Sequence, residues 1–166
     1  MPGPNASKSG PGLYTAEQRV RRDNTIWTQV QGVLAPIQFL VFLISLWLVV
    51  SYLATGHGFA AATASVVVKT IALYAIMITG AIWEKEVFGQ YLFAPAFFWE
   101  DVLSMAVLVL HTAYLGAVFF GVGSPQSQMV LALAAYAAYV VNAGQYLWKL
   151  RQARLEASTP TVEAPA

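Results

Sequence analysis

Val33–Ala54 reads VLAPIQFLVFLISLWLVVSYLA. It carries no charged side chain, and a bilayer core takes about 20 apolar residues to cross. Three more stretches of comparable length follow, at about 60–83, 96–121 and 128–149. Turn residues separate them: Thr55-Gly56-His57-Gly58, a polar connector, and Gly123-Ser124-Pro125. Lipid offers a backbone no hydrogen-bond partner, so spans of this kind must be helices. The expected fold is all-α: an integral membrane four-helix transmembrane bundle with an N-terminal amphipathic helix and disordered tails. The tails are expected at residues 1–14 and 155–166, with a single membrane-embedded domain over 15–154 between them.

Composition agrees. Only 10% of the 166 residues are charged and 58% are hydrophobic, whereas a soluble domain carries about 25% charged residues. The net charge of +1 argues against a nucleic-acid surface. The chain has no cysteine, which removes disulfides, thiolate metal sites and cysteine nucleophiles. Two histidines, His57 and His111, are too few for a histidine-rich metal cluster. No metal site or cofactor is expected. Thr15 to Val30 has mixed charge and helical spacing, and Thr15 with Gln18 resembles a capping box. This segment is expected to lie on the membrane surface.

The basic residues orient the bundle. Lys8, Arg19, Arg21 and Arg22 precede the first span, Lys85 lies in the second connector, and Lys149, Arg151 and Arg154 follow the fourth. The other two connectors have no Lys or Arg. The positive-inside rule then places both termini and the second connector in the cytoplasm.

That second connector is the chemically dense part of the chain. Trp83–Asp101, WEKEVFGQYLFAPAFFWED, holds four of the eight carboxylates, Glu84, Glu86, Glu100 and Asp101. Tyr91, four Phe and two Trp stand among them. Carboxylates beside lipid are costly to keep, and rings around them suit a flat, apolar partner. Inside the spans, Lys69, His111 and Asn142 also need explaining, because a charged group at a helix centre costs about 2.5–3.5 kcal/mol on insertion scales. Helical spacing puts Glu100, Ser104, Val107, His111 and Tyr114 on one stripe of the third span. Ala135, Ala138, Asn142, Tyr146 and Lys149 form a stripe on the fourth, and Lys69, Ile76, Gly80 and Trp83 share a face of the second. Polar groups from three helices are thus expected to meet in one cleft. The plainer readings are that Lys69 bridges to Asp101 or Glu100, that His111 bonds a backbone carbonyl or hydroxyl, and that Asn142 ties helices together. Glu86 and Lys85 read as solvated loop charges.

Four runs, WTQVQGVLAPIQFLVFLISL, ATASVVVKTIALYAIMITGAIWEKEVFGQY, EKEVFGQYLFAPAFFWEDVLSMAVLVLHTAYL and AAYVVNAGQYLWKLRQAR, occur in order over about residues 27–154. Together they resemble the 3-vinyl bacteriochlorophyllide hydratase family of phototrophic bacteria. The resemblance implies a multispanning lyase of the bacterial inner membrane, cytoplasmic or intracytoplasmic. It would add water to the 3-vinyl group of a chlorophyllide or bacteriochlorophyllide, giving a 3-(1-hydroxyethyl) group. Its partners would be a magnesium tetrapyrrole, water, membrane lipid and other enzymes of bacteriochlorophyll synthesis.

Such a hydration needs a proton for the terminal carbon, a base for water and negative charge near a carbocation. Glu100 or Asp101 is the expected general acid, with His111 or the other carboxylate as base. Glu100 and His111 share a stripe and are the favoured pair, with Glu84 as the next candidate. Lys69 would hold an ionised carboxylate or the substrate's propionate. Tyr91, Phe97, Phe98 and Trp99 would line the macrocycle, with Asn142 also in the binding site. His111 as a ligand of the pigment's magnesium is the alternative role. Two other functions compete: a non-catalytic pigment- or haem-binding subunit using His111 or Asn142, and a small proton-coupled transporter relaying through Lys69, Glu100 and Asp101.

Overall fold

The computed structural model describes residues 12–158. Most of the two expected tails, 1–11 and 159–166, therefore lies outside the described residues. Five helices follow in order: α1 Ala16–Asn24, α2 Ile26–Thr55, α3 Phe59–Phe88, α4 Phe98–Phe119 and α5 Pro125–Ser158. No strand occurs among the described residues. The helices α2 to α5 are each long and apolar enough to cross a membrane, so the all-α, four-span expectation holds.

Three of the four spanning helices are longer than the apolar runs that announced them, while α4, at Phe98–Phe119, is shorter than the expected 96–121. α2 begins at Ile26 instead of near residue 33, and α3 runs through Lys85 and Glu86 to Phe88. α5 continues to Ser158, past the expected start of the tail at 155. A helix needs only its backbone bonds, so it projects beyond the apolar slab until a cap stops it. Gly56 ends α2 and Gly89 ends α3, each at positive φ (73° and 87°) where a side chain is disfavoured.

The expected surface helix over Thr15–Val30 is shorter. The Thr15–Gln18 capping box forms, but the helix stops at Asn24. Thr25 is extended and serves as both the C-cap of α1 and the N-cap of α2. This elbow is tied to α3: the Thr25 hydroxyl donates to Glu86, the Thr28 hydroxyl donates to the Arg22 carbonyl at 2.6 Å, and Trp83 Nε1 donates to Thr28 at 2.9 Å. Glu86 is therefore bonded rather than only solvated. Tyr14, in the expected tail, is buried and stacks on Phe88 with ring centroids 5.8 Å apart.

α2 packs closely on α3 and α4 on α5, making two hairpins. Fewer approaches, between α2 and α5 and between α3 and α4, join the hairpins into a bundle. Hydroxyls bridge the helices: Ser45 meets Tyr136 at 2.5 Å and Ser65 at 2.7 Å, and Tyr74 meets Thr112 at 2.8 Å. Gln31 donates to Thr79 at 2.6 Å, and its amide lies beside Gly80, where an added Cβ would meet it at ordinary van der Waals distance. The apolar core centres on Phe42, Val49, Val66, Val107, Tyr114 and Tyr136. Outside it, Leu40, Ile44, Trp47, Ile71, Ile78, Val109 and Val141 face outward. A continuous coat of large apolar side chains would be untenable in water and is the ordinary surface of a protein in lipid.

Candidate active site

One end of the bundle gathers α1, the connector between α3 and α4, and the last turns of α5. Here the three helices α3, α4 and α5 bring ionisable groups together. The expected polar stripe on α4 is real: Glu100, Ser104, Val107, His111 and Tyr114 are all buried, and Asp101 with them. Glu100 and Asp101 occupy the first turn of α4, where the positive end of the helix dipole favours negative charge.

Asp101 is the hub. Its Oδ2 accepts the backbone N–H of Phe93 at 2.7 Å, and its Oδ1 accepts a longer bond from the Tyr146 hydroxyl at 3.4 Å. Glu84, from the end of α3, is 4% exposed and accepts the Ala94 N–H at 3.4 Å. The Glu84 and Asp101 carboxyls are close enough to interact by charge. The connector thus aims two successive N–H groups at a carboxyl pair. Phe93 pays for this arrangement with φ of 60°, a left-handed conformation costing about 1–3 kcal/mol in a non-glycine residue.

Glu100 is engaged elsewhere. Lys149 sets its Nζ 2.6 Å from Glu100 Oε2 and also donates to the Ala96 carbonyl. The favoured Glu100–His111 pair does not form. His111 lies eleven positions on, about three turns deeper, and its Nδ1 meets the Val107 carbonyl at 2.8 Å. Lys69 bridges to neither Glu100 nor Asp101; its Nζ sits over the Tyr139 ring, 3.7 Å from the centroid. Asn142 donates to Ser104 at 2.8 Å, tying α5 to α4. The expected single cleft is therefore two layers: a carboxyl layer at the connector end and a Lys69–His111 layer deeper in the bundle.

The aromatic residues divide too. Phe97 is buried among Tyr14, Trp83, Phe88 and Tyr146, stacking on Tyr146 with centroids 6.0 Å apart. Tyr91, Phe98 and Trp99 are exposed, Trp99 by 70%, and do not line the carboxyl layer; Phe98 and Trp99 pack on each other edge to face. Helical geometry explains this, since neighbours on α4 point about 100° apart. Tyr146, Lys149 and Ser104 were visible as stripe members but not as site residues. Their signal was register with Glu100, which only the relative rotation of α4 and α5 turns into contact.

Carboxyl and amine groups held together inside a multi-pass bundle define a membrane-embedded protein equipped for acid–base chemistry. The profile of the 2-vinyl bacteriochlorophyllide hydratase family matches residues 14–152. A 2-vinyl bacteriochlorophyllide hydratase of Cereibacter sphaeroides is 71% identical over 145 residues, covering 87% of this chain and 89% of that protein. The protein of the same description from Rhodobacter capsulatus is 63% identical over 160 residues, covering 96% and 92%. No solved structure matches the chain. The chain belongs to the 2-vinyl bacteriochlorophyllide hydratase family.

Proposed function

We propose that this protein, a carbon–oxygen lyase, adds water across the vinyl substituent of a bacteriochlorophyllide or chlorophyllide, and that the Glu84–Asp101 pair carries the proton. The family and its two relatives support the reaction. The observation that carries the site is a pair of buried carboxyls on different helices, held by two successive N–H groups of the connector.

A proton carried by the pair passes to the terminal vinyl carbon as the double bond opens. The positive charge left on the inner carbon spreads into the macrocycle and faces the newly ionised carboxylate. Water adds to that carbon through oxygen and returns a proton to the pair. One C–H and one C–O bond form, one O–H bond and the C–C π bond break, and the pair ends as it began. Tyr146 steadies Asp101, and Lys149 with Glu100 pins the connector over the site. Phe97, the one expected ring within this layer, flanks it. The test is mass gain: membranes holding the protein, given the vinyl pigment, should yield a product heavier by one water. Glu84→Gln should abolish it. Full activity in that variant would remove the pair from the mechanism.

The setting belongs to the same proposal. Arg19, Arg21, Arg22, Lys85, Lys149, Arg151 and Arg154 all fall at the connector end, which supports an inner-membrane protein with that end and both termini in the cytoplasm. Substrate then enters from the lipid or the cytoplasmic side, where other pigment-making enzymes could pass it on. The absence of cysteine makes the test direct: single cysteines at residue 57 and in the connector should label from opposite sides.

A further inference from the structure

The bundle buries more polar atoms than its own bonds satisfy. Lys69 Nζ and His111 Nε2 have no hydrogen-bond partner and no solvent contact. Lys69, His111 and Tyr114 are each 0% exposed, and Lys69 and His111 lie close enough to interact by charge. A buried polar group left unpaired costs about 1–3 kcal/mol, so a group kept in this state calls for a partner from outside the chain.

The chemistry of the two side chains says which partner. A carbonyl only accepts, so the ring nitrogen facing the Val107 oxygen must carry the hydrogen. The neutral ring then keeps a lone pair at Nε2, buried and unused. An imidazole whose other nitrogen donates to a backbone carbonyl has the orientation of a metal ligand. Lys69 is an amine with no carboxylate bonded to it. The buried carboxylates Glu84, Glu100 and Asp101 are all bonded in the carboxyl layer. An aromatic face supports its ammonium, as at other desolvated cation sites.

We infer that Lys69 and His111 form an anchoring site that grips the tetrapyrrole at two points, His111 Nε2 on its magnesium and Lys69 on its free carboxylate. This rests on the hydratase reading and assigns the rest of the substrate within it. His111 follows Asp101 by ten positions on one helix, about 15 Å at 1.5 Å per residue, so the anchoring site lies deeper in the bundle than the carboxyl pair. The looser seam between the two hairpins is where a flat molecule would slide in from lipid.

Binding of the hydrated product tests this independently of turnover, using the full-length protein in detergent. Four pigments serve: the magnesium free acid, its metal-free counterpart, and the methyl ester of each. The native protein should bind the magnesium acid at least tenfold more tightly than either single change allows, and its absorption and resonance Raman spectra should show one axial nitrogen ligand on the metal. His111→Ala should lose the metal preference and the ligand signature while keeping the preference for acid over ester, with added imidazole restoring the signature. Lys69→Met should do the converse. Equal affinity of the native protein for all four pigments would overturn the inference even if neither variant folds. If the preferences hold while Glu84→Gln still hydrates, the anchor stands and the carboxyl-pair mechanism falls.

Discussion

Lys149 on α5 holds Glu100 on α4, with Nζ 2.6 Å from Oε2, one residue away from Asp101, whose carboxyl the connector holds beside Glu84. Adjacent acids on one helix therefore have different surroundings. Glu100 is neutralised by a cation and fixes the α4–α5 seam. Asp101 faces the bundle interior and a second acid.

That division sets the first prediction. Glu100→Gln keeps a hydrogen-bond acceptor for Lys149 and should leave hydration within about tenfold of the native rate. Asp101→Asn removes one half of the carboxyl pair and should cost about 10²–10⁴, the usual contribution of a positioned acid or base. The measurement is product formed per protein in matched membranes. A Glu100→Gln loss as deep as that of Asp101→Asn would return Glu100 to the centre of the mechanism.

Tyr146→Phe isolates the tyrosine's hydroxyl. The ring stack on Phe97 survives, and the 3.4 Å bond to Asp101 is lost together with the hydroxyl's approach to Ser104. A bond that long is weak, so turnover should fall about three- to tenfold with little change in thermal stability. A drop beyond a hundredfold would show that the hydroxyl itself moves a proton.

How far the sequence reached is clear from these residues. The helices were legible because apolar length and lipid leave the backbone no other choice. The α4 stripe was legible because one helix has one period. Pairings between helices were not, since each depends on how neighbours rotate about their axes. Glu100 with Lys149 and Asp101 with Glu84 are three independent helices meeting, and no spacing within one helix encodes it. The connector's grip on the carboxyls was hidden for another reason: Phe93 adopts a left-handed turn that its residue type does not advertise. Lys69, a visible oddity, looked like half of an ion pair because the competing cation Lys149 lies eighty positions away.

Ser104→Ala probes the one side-chain bond that links Asn142 to α4. Asn142 Oδ1 already lacks a partner, so losing Ser104 would leave the whole carboxamide unpaired. Such interhelical bonds contribute about 0.6 kcal/mol on average and up to about 1.7 in membrane helices, and the buried setting argues for the upper half of that range. The variant should unfold at lower denaturant, while Ser104→Thr, which keeps a hydroxyl, should recover part of the loss. Unchanged stability in Ser104→Ala would mean that Asn142 finds another partner.

Trp83→Phe should loosen α1 and little else. The indole N–H donates to Thr28 at 2.9 Å, and Thr28 in turn holds the last turn of α1 through the Arg22 carbonyl. A phenylalanine keeps the edge contacts to Phe88 and Phe97 but not the bond. A neutral hydrogen bond is worth about 1 kcal/mol, or about fivefold in the opening equilibrium of a segment with no buried residue of its own. Arg19, Arg21 and Arg22 are trypsin sites on that helix, and cleavage needs it open. Trypsin should cut the variant about fivefold faster there, while hydration stays near native because Glu84, Asp101 and Tyr146 keep their bonds. Equal cleavage rates would show that α1 is held by Tyr14 on Phe88 and Arg22 on Tyr14 rather than by the Thr28 relay.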